Sequence, residues 1–375
     1  MIRSHESWAA WGIVVLLAIP VYAQQTPTFK AGVDLVRLDV TVVDAEGKPV
    51  DGLEPRDFEV RVNGVVLPVT TLRFLEFGSL TRADAAGASA SSSAGPSPGG
   101  RIIVIAVDEE SLPSTDSARP LMQTIAGWID RLTPADRMSI VALPPPGLRQ
   151  KFTSDKGALT RTLYKLHARA PVRPAPLGAQ GFGGNGATTA SPRPDERAGG
   201  NQAFAGSEAF ATVSEQGMLL VALEDLASSL VKIEGPKTLV LVTAGLGFDS
   251  GLLSRYRAVA TRASEARLRM YVLQPHTGVA PASGSRSTQA DSGGAAPEGA
   301  YLLAGLTGGA VFNAVARAEA VVERIERETM GGYVVGVELP AGTPRDKALE
   351  VRVQVKLPGV TVRSPEHVVP PRRGN

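Results

Sequence analysis

The sequence predicts an α/β protein: a doubly wound, mostly parallel sheet flanked by helices, together with a small β module. Short runs that are apolar on both faces, IIVIAV at 102–107 and TLVLVT at 238–243, are typical of strands buried in a parallel sheet. Helical repeats of apolar residues follow such runs, as at Leu121, Ile125 and Trp128. Strands that alternate with helices at this spacing favour right-handed parallel crossovers.

The predicted elements of the central region follow one another in that alternating order. The predicted strands lie at 102–107, 138–143, 151–153, 238–243, 270–273 and 310–312. The predicted helices carry apolar stripes that begin at Leu121, Leu159, Leu219, Leu252 and Ala316. Gly235 and Pro236 end the third of these helices.

The composition excludes several kinds of chemistry. The 375 residues contain no cysteine, so thiol catalysis, thiolate zinc sites and iron–sulfur clusters are excluded. Beyond residue 23 the histidines are His167, His276 and His367, none in a ligand-type spacing. The formal charge of +2 gives no electrostatic reason to expect a nucleic acid partner.

Residues 1–23 have the pattern of a signal peptide. A short polar start precedes an apolar run from Trp8 to Pro20, and Val21-Tyr22-Ala23 places small residues where a signal peptidase cuts. We expect export to the periplasm, the cell surface or the medium, with no transmembrane segment after cleavage. The alternative is an uncleaved anchor.

The two ends of the mature chain are predicted to form β structure. Residues 24–80 alternate in strand fashion and contain the hairpin signal Asn63-Gly64, and residues 341–375 include the alternating segment LEVRVQVKL. We expect both ends to share one β layer, with the central domain, residues 101–340, inserted between them. The alternative is that each end packs separately on that domain.

Three stretches interrupt this organisation. Residues 81–100 are rich in Ala, Gly and Ser and are predicted to be a flexible linker. Residues 170–208 and 276–299 are predicted to be disordered insertions for the same compositional reason.

A candidate site follows the first central strand. Asp108, Glu109 and Glu110 end this strand, and ligands of open α/β sheets bind just beyond the carboxyl ends of the strands. Gly245, in the turn after the strand at 238–243, lies at the same predicted edge.

The central region resembles a von Willebrand factor type A domain. The matching features are the apolar strand that ends at Asp108, LTPADRMSIVAL at 132–143, KTLVLVTAG at 237–245 and LAGLTGGAVF at 303–312. Residues 32–367 as a whole are similar to exported bacterial proteins that are related to this family. The resemblance implies a binding or adhesion role for the domain.

The resemblance also implies a metal-ion-dependent adhesion site, but one that is degenerate here. The family's site has the form Asp-x-Ser-x-Ser, completed by a Thr and by the Asp of a Thr-Asp-Gly turn. Asp108 matches the first position, whereas Glu110 and Leu112 replace the two serines and Ala244 replaces the second Asp. We therefore favour a domain without a metal. The alternative is a remodelled site in which Asp108, Glu110, Ser111 and Asp249 hold Mg²⁺ or another divalent cation.

Two literal motif matches have the wrong context. GPSPG at 95–99 fits a nucleophile elbow but lies in the linker, with no strand before it. GFGGNG at 181–186 fits a dinucleotide-binding loop but lies in a glycine-rich insertion.

These observations predict a non-catalytic, exported binding module of the adhesion type that requires no cofactor. It would bind a protein or peptide partner at the carboxyl edge of the central sheet through Asp108, Glu110, Ser111, Gly245 and Asp249. The alternatives are a metal-dependent enzyme that uses the acidic loop, with Asp108 and Glu110 as ligands, and a structural component of the cell envelope.

Overall fold

The computed structural model describes residues 35–77, 99–111, 115–144, 147, 149–169, 213–275, 298–314, 318–344 and 347–370. The expected signal peptide, most of the expected linker, the insertion at 170–208 and residues 276–297 of the second insertion lie outside these ranges.

The described ranges contain fourteen strands and six α-helices, which we number in chain order. The strands are β1 (Leu35–Val43), β2 (Phe58–Val62), β3 (Val65–Leu67), β4 (Val69–Glu76), β5 (Ile102–Asp108), β6 (Arg137–Leu143), β7 (Arg149–Thr153), β8 (Lys237–Val242), β9 (Leu268–Gln274), β10 (Val311–Asn313), β11 (Gly331–Glu338), β12 (Leu349–Val355), β13 (Thr361–Arg363) and β14 (His367–Val368). The helices are α1 (Thr115–Arg131), α2 (Lys156–Arg169), α3 (213–230), α4 (Leu253–Glu265), α5 (Glu298–Thr307) and α6 (Ala318–Glu328).

The central sheet has six strands in the order β10-β9-β8-β5-β6-β7, and only β7 at one edge runs antiparallel to its neighbour. Side chains of α3, α4 and α5 cover one face, and side chains of α1, α2 and α6 cover the other. All seven residues of β5 are buried, as expected for a strand covered on both faces. The prediction of an α/β fold with a mostly parallel sheet is therefore confirmed.

The strand order reverses between β5 and β8. From β5 the chain continues to β6 and β7 on one side, and it then crosses to β8, β9 and β10 on the other side. The loops that follow β5 and β8 therefore diverge from neighbouring strand ends, which is where crevices form in such sheets. The first candidate residue, Asp108, is the last residue of β5.

The terminal segments form two antiparallel sheets, in the orders β13-β1-β11-β4 and β14-β12-β2-β3. Strands from the two ends of the chain pair directly, since β12 pairs with β2 and β13 pairs with β1. The two ends therefore share β structure, as expected, but they form two sheets around one hydrophobic core instead of one layer. Each alternating strand has one apolar face, and a second sheet is what covers it.

The strand β11 also corrects a predicted boundary. The sequence predicts that Gly331–Glu338 belongs to the central domain. In the structure this strand hydrogen-bonds to β1 and β4 of the β module instead. Tyr333, Val335 and Val337 are buried in the core that the two antiparallel sheets share. The central α/β unit therefore ends with α6, and the chain returns to the β module ten residues before position 341.

The helix α5 was not predicted. It begins at Glu298, within the expected insertion at 276–299, and its buried residues include Gly299, Ala300 and Ala304. Small residues leave a weak apolar periodicity, which explains why the sequence pattern misses this helix. Among the helices in the described ranges, none combines the length and the apolar character that a membrane span needs.

Candidate functional site

Asp108 and Thr243 form the centre of the candidate site, at the point where the strand order reverses. Asp108 ends β5 and is only 4% exposed, and Thr243 directly follows β8 and is fully buried. The Thr243 hydroxyl donates a hydrogen bond of 2.8 Å to Oδ2 of Asp108. A side chain from each of the two diverging loops is thus fixed at the base of the crevice.

Ser111 ties the same two loops together a second time. Its Oγ accepts a hydrogen bond of 2.9 Å from the backbone N–H of Ala244 and lies 3.1 Å from Oγ1 of Thr243. These contacts join the turn after β5 to the loop after β8.

Burial raises the pKa of Asp108 above its ordinary value. Hydrogen bonds from the hydroxyls of Ser111 and Thr243 and from the backbone N–H groups of Ser111 and Glu110 oppose this effect without cancelling it. Asp108 is therefore an internal carboxyl group that its own chain surrounds with donors. Glu110, by contrast, is half-buried at the surface of the same turn.

Helices α4 and α5 anchor the loop after β8. The hydroxyl of Tyr256, a fully buried side chain of α4, donates to the carbonyl oxygen of Gly247 at 2.6 Å. The backbone N–H of Ala300 in α5 donates to the carbonyl oxygen of Leu246 at 3.1 Å. A Cβ atom at Gly299 would lie 2.1 Å from the Tyr256 hydroxyl and 2.3 Å from the Gly247 carbonyl oxygen, so only glycine permits this close packing.

Phe248 follows this anchored stretch and is 49% exposed. A large aromatic side chain on a fixed loop loses little conformational entropy when a partner covers it, which is typical of residues that dominate binding energy. Sequence reasoning did not single out Phe248.

The structure brings three of the five predicted site residues into one network. Asp108 and Ser111 contact Thr243, and the backbone N–H of Gly245 lies 3.4 Å from its hydroxyl oxygen. Asp249 is exposed, and its carboxylate accepts a hydrogen bond of 2.7 Å from the N–H of Gly251 at the start of a short 3₁₀ helix, Ser250–Leu252. The recorded bonds of Asp249 stay within its own turn.

The two aspartates of the remodelled metal site each bond within their own chain. Thr243 donates to Asp108, and the N–H of Gly251 donates to Asp249. Within the described ranges there is no group of three or more His, Asp or Glu side chains that could hold a metal ion. A site that also uses hydroxyl ligands stays a prediction.

The hydroxyl of Ser111 is not arranged as an activated nucleophile. In the described part of the chain its hydrogen bonds join it to Thr243, to the N–H of Ala244 and, at 3.5 Å, to the carbonyl oxygen of Asp108. An activated serine needs a hydrogen-bonded base that can take its proton. The network therefore ties the turn after β5 to the loop after β8.

Thr243 is the member of the network that sequence reasoning missed. A signal was present, because Thr243 is the polar residue that closes the apolar run TLVLVT, as Asp108 closes IIVIAVD. Two such residues meet only if their strands are neighbours. The pairing of β5 with β8 is a tertiary fact that the sequence pattern does not supply.

Comparisons with known proteins do not place the chain in a family. No family model matches it, and no curated protein matches it. Among solved structures, the N-terminal domain of TFIIH p34 aligns at 10% identity with a TM-score of 0.28, over 60% of this chain and 94% of that one. An uncharacterised membrane-spanning protein from Vibrio fischeri aligns at 14% identity with a TM-score of 0.18, over 60% and 96%. The description of the fold therefore rests on the strand order and register of this chain alone.

Proposed function

We propose that this chain is an exported, non-catalytic binding module with a von Willebrand factor A-like central domain, and that it binds a basic peptide segment of a protein partner. The proposed surface lies at the carboxyl edge of the central sheet and is formed by Glu110, Phe248 and Asp249. The observation that carries this proposal is the half-exposed aromatic ring of Phe248 on a loop that is anchored from below.

The strand order supports the fold assignment. Numbered within the central sheet, the six strands run 3-2-1-4-5-6, a doubly wound order with a switch point between the first and fourth strands. The antiparallel edge strand β7 and the segments quoted for the resemblance are consistent with a von Willebrand factor A-like domain.

The loop network supports a binding role. Ser111 and Thr243 fix the two loops relative to each other, so the surface needs little ordering when a partner binds. The carboxylates of Glu110 and Asp249 lie on these two loops, and they favour a partner of opposite charge. The aromatic ring of Phe248 would supply the apolar contact.

We propose that binding needs no metal ion. The carboxylate of Asp108, the one residue that matches the adhesion motif, is buried and accepts a hydrogen bond from Thr243. Its own chain therefore holds this carboxylate in the interior and does not present it to a cation at the surface. We therefore expect the same affinity for a peptide partner in chelator and in millimolar Mg²⁺.

The test is selection of peptides from a random displayed library on the immobilised full chain, followed by fluorescence anisotropy of the labelled peptides. We expect the selected peptides to be basic and to bind more weakly as salt is raised. Phe248→Ser should weaken binding by about tenfold or more, since exposed aromatic side chains at interface centres contribute at least 1–2 kcal/mol.

Tyr164→Ser is the matched control, because Tyr164 in α2 is 48% exposed and lies outside the site loops. Peptides that bind Tyr164→Ser and Phe248→Ser equally well would contradict the proposed surface. Affinity that requires Mg²⁺ and is lost in Asp108→Ala would instead support the metal-dependent alternative.

A further inference from the structure

A second candidate site lies at the opposite end of the central sheet. A cavity of about 80 Å³ separates β1, β4 and β11 of the β module from the amino ends of β5, β8 and β9. Ion pairs cross this junction, as between Arg267, just before β9, and Asp39 of β1, where Nη2 and Oδ1 are 2.5 Å apart. The cavity therefore lies between two layers that ion pairs connect.

Positive charge predominates around this cavity. Among the described residues, two carboxylates line it, Asp39 and Glu328, together with five cationic side chains: Arg37, Arg101, Lys237, Arg267 and Arg269. Both carboxylates already form ion pairs, Asp39 with Arg267 and Glu328 with Arg363.

Lys237 and Arg269 bond to neutral groups of the chain. The ammonium group of Lys237, a buried residue, donates to the carbonyl oxygens of Gly235 and Ala266 at 2.8 and 2.7 Å. The guanidinium of Arg269 donates to the hydroxyl of Thr41 and to the carbonyl oxygen of Asp39. In these contacts no carboxylate neutralises the charge of Lys237 or Arg269, so a bound anion could do so.

Two buried N–H groups of the cavity lining have no hydrogen-bond acceptor among the residues that the structure describes. The first is Nη1 of Arg101, a residue that is 4% exposed. The backbone N–H, Nε and Nη2 of the same residue donate to the carboxylate of Asp136 at 2.7 to 3.0 Å. Nε of Arg269 is the other. A buried donor without a partner is costly, so both positions favour an occupant that offers oxygen acceptors.

The part of the lining that β4 and the residue after it contribute is apolar. Leu75 and Phe77, in and after β4, line the cavity together with Val334 of β11. The volume accommodates roughly five to eight water-sized groups. An occupant with both an anionic end and a short apolar end matches the two sides.

We propose that this cavity binds a small organic carboxylate, with its anionic group among Arg101, Lys237 and Arg269 and its short apolar part against Leu75, Phe77 and Val334. The site is independent of the peptide surface around Phe248, because the two lie at opposite ends of the strands of the central sheet. Loss of peptide binding therefore leaves carboxylate binding unaffected, and the reverse also holds.

The test is calorimetric titration of butyrate into the full chain at neutral pH. Butyramide, a neutral molecule of the same shape, and inorganic phosphate, an anion without an apolar part, are titrated in parallel. We expect saturable binding of butyrate that is about tenfold or more tighter than either comparison, because a charge-assisted hydrogen bond and the apolar contact each contribute.

Variants then locate the site. Lys237→Met and Arg269→Gln should each weaken butyrate binding by about tenfold. Arg352→Gln is the control, because Arg352 is exposed on β12 and does not line the cavity. If a cavity variant fails to fold, the comparison of butyrate with butyramide on the unaltered chain still decides the proposal.

Three results would overturn the proposal. The absence of saturable heat with butyrate would mean that solvent alone satisfies the two N–H groups. Equal binding of butyramide would remove the role of the charge, and equal binding of phosphate would remove the role of the apolar side.

Discussion

Replacement of Thr243 by valine tests whether the Asp108–Thr243 contact holds the two site loops together. Valine has nearly the same shape as threonine but lacks the hydroxyl group. The change removes the 2.8 Å hydrogen bond to Asp108 and the 3.1 Å contact with Ser111 while leaving little cavity. Because Thr243 is fully buried, water cannot replace the lost donor.

The expected cost is about 2 kcal/mol of unfolding free energy. A hydrogen bond to a charged group contributes about 1.5–3 kcal/mol and the contact with Ser111 about 1 kcal/mol, whereas the added methyl group returns up to about 0.8 kcal/mol. The cost should be larger at pH 7 than near pH 4. Burial already raises the pKa of Asp108, so at low pH the neutral acid needs the donor less.

Urea unfolding of the full chain, at both pH values, measures this difference. Thr261→Val is the matched control, because the hydroxyl of Thr261 makes an exposed hydrogen bond to a backbone carbonyl within α4, and we expect a change below about 0.5 kcal/mol. A Thr243→Val cost equal to that of the control, or one that is larger at pH 4, would refute the role given to Thr243.

Two further predictions concern packing and titration. Gly299→Ala should destabilise the chain by several kcal/mol in urea unfolding, since the new Cβ atom would lie 2.1 Å from the buried hydroxyl of Tyr256. Gly217→Ala in α3 is the control, because the nearest atom to its new Cβ would be 3.7 Å away, and this change should stabilise the chain by about 1 kcal/mol. Equal effects of the two changes would show that the loop after β8 does not pack tightly on α5. Burial lowers the pKa of Lys237 from 10.5 to about 8. Repulsion from Arg267 also lowers this pKa, to a smaller extent, whereas attraction to Asp39 raises it. The unfolded chain therefore binds more protons between these values, and the stability of the wild type relative to Lys237→Met should rise by up to about 3 kcal/mol as pH increases through this window. A flat difference in pH-dependent urea unfolding would contradict the burial of the charged ammonium group.

The elements that the sequence predicts well are those with an unbroken or strictly periodic apolar pattern. The strand β5 and the helices with leucine stripes have side chains that must be buried whatever their neighbours are, so the pattern itself specifies them. The helix α5 has a weaker pattern because Gly299, Ala300 and Ala304 occupy three of its buried positions. Its packing on the loop after β8 depends on small size, which no periodicity reports.

The sequence predicts some residues of the candidate site and misses others. Asp108 was recognised because an apolar strand ends at it, and Ser111 and Gly245 because they follow strand ends. Thr243 and Phe248 were missed, since their roles depend on which strands are neighbours and on which loop is anchored from below.

The sequence alone determined the alternation of strands and helices, the position of the acidic turn and the β character of both chain ends. These properties are local, because they follow from side-chain polarity at a period of two or of 3.6 residues. Only the tertiary structure decided that β11 joins the β module, that two sheets enclose its core, and that Asp108 is an internal acid bound to Thr243. The same holds for the cationic cavity, whose lining residues lie far apart in the chain. Such contacts depend on the pairing of distant segments, which hydrophobic periodicity leaves open.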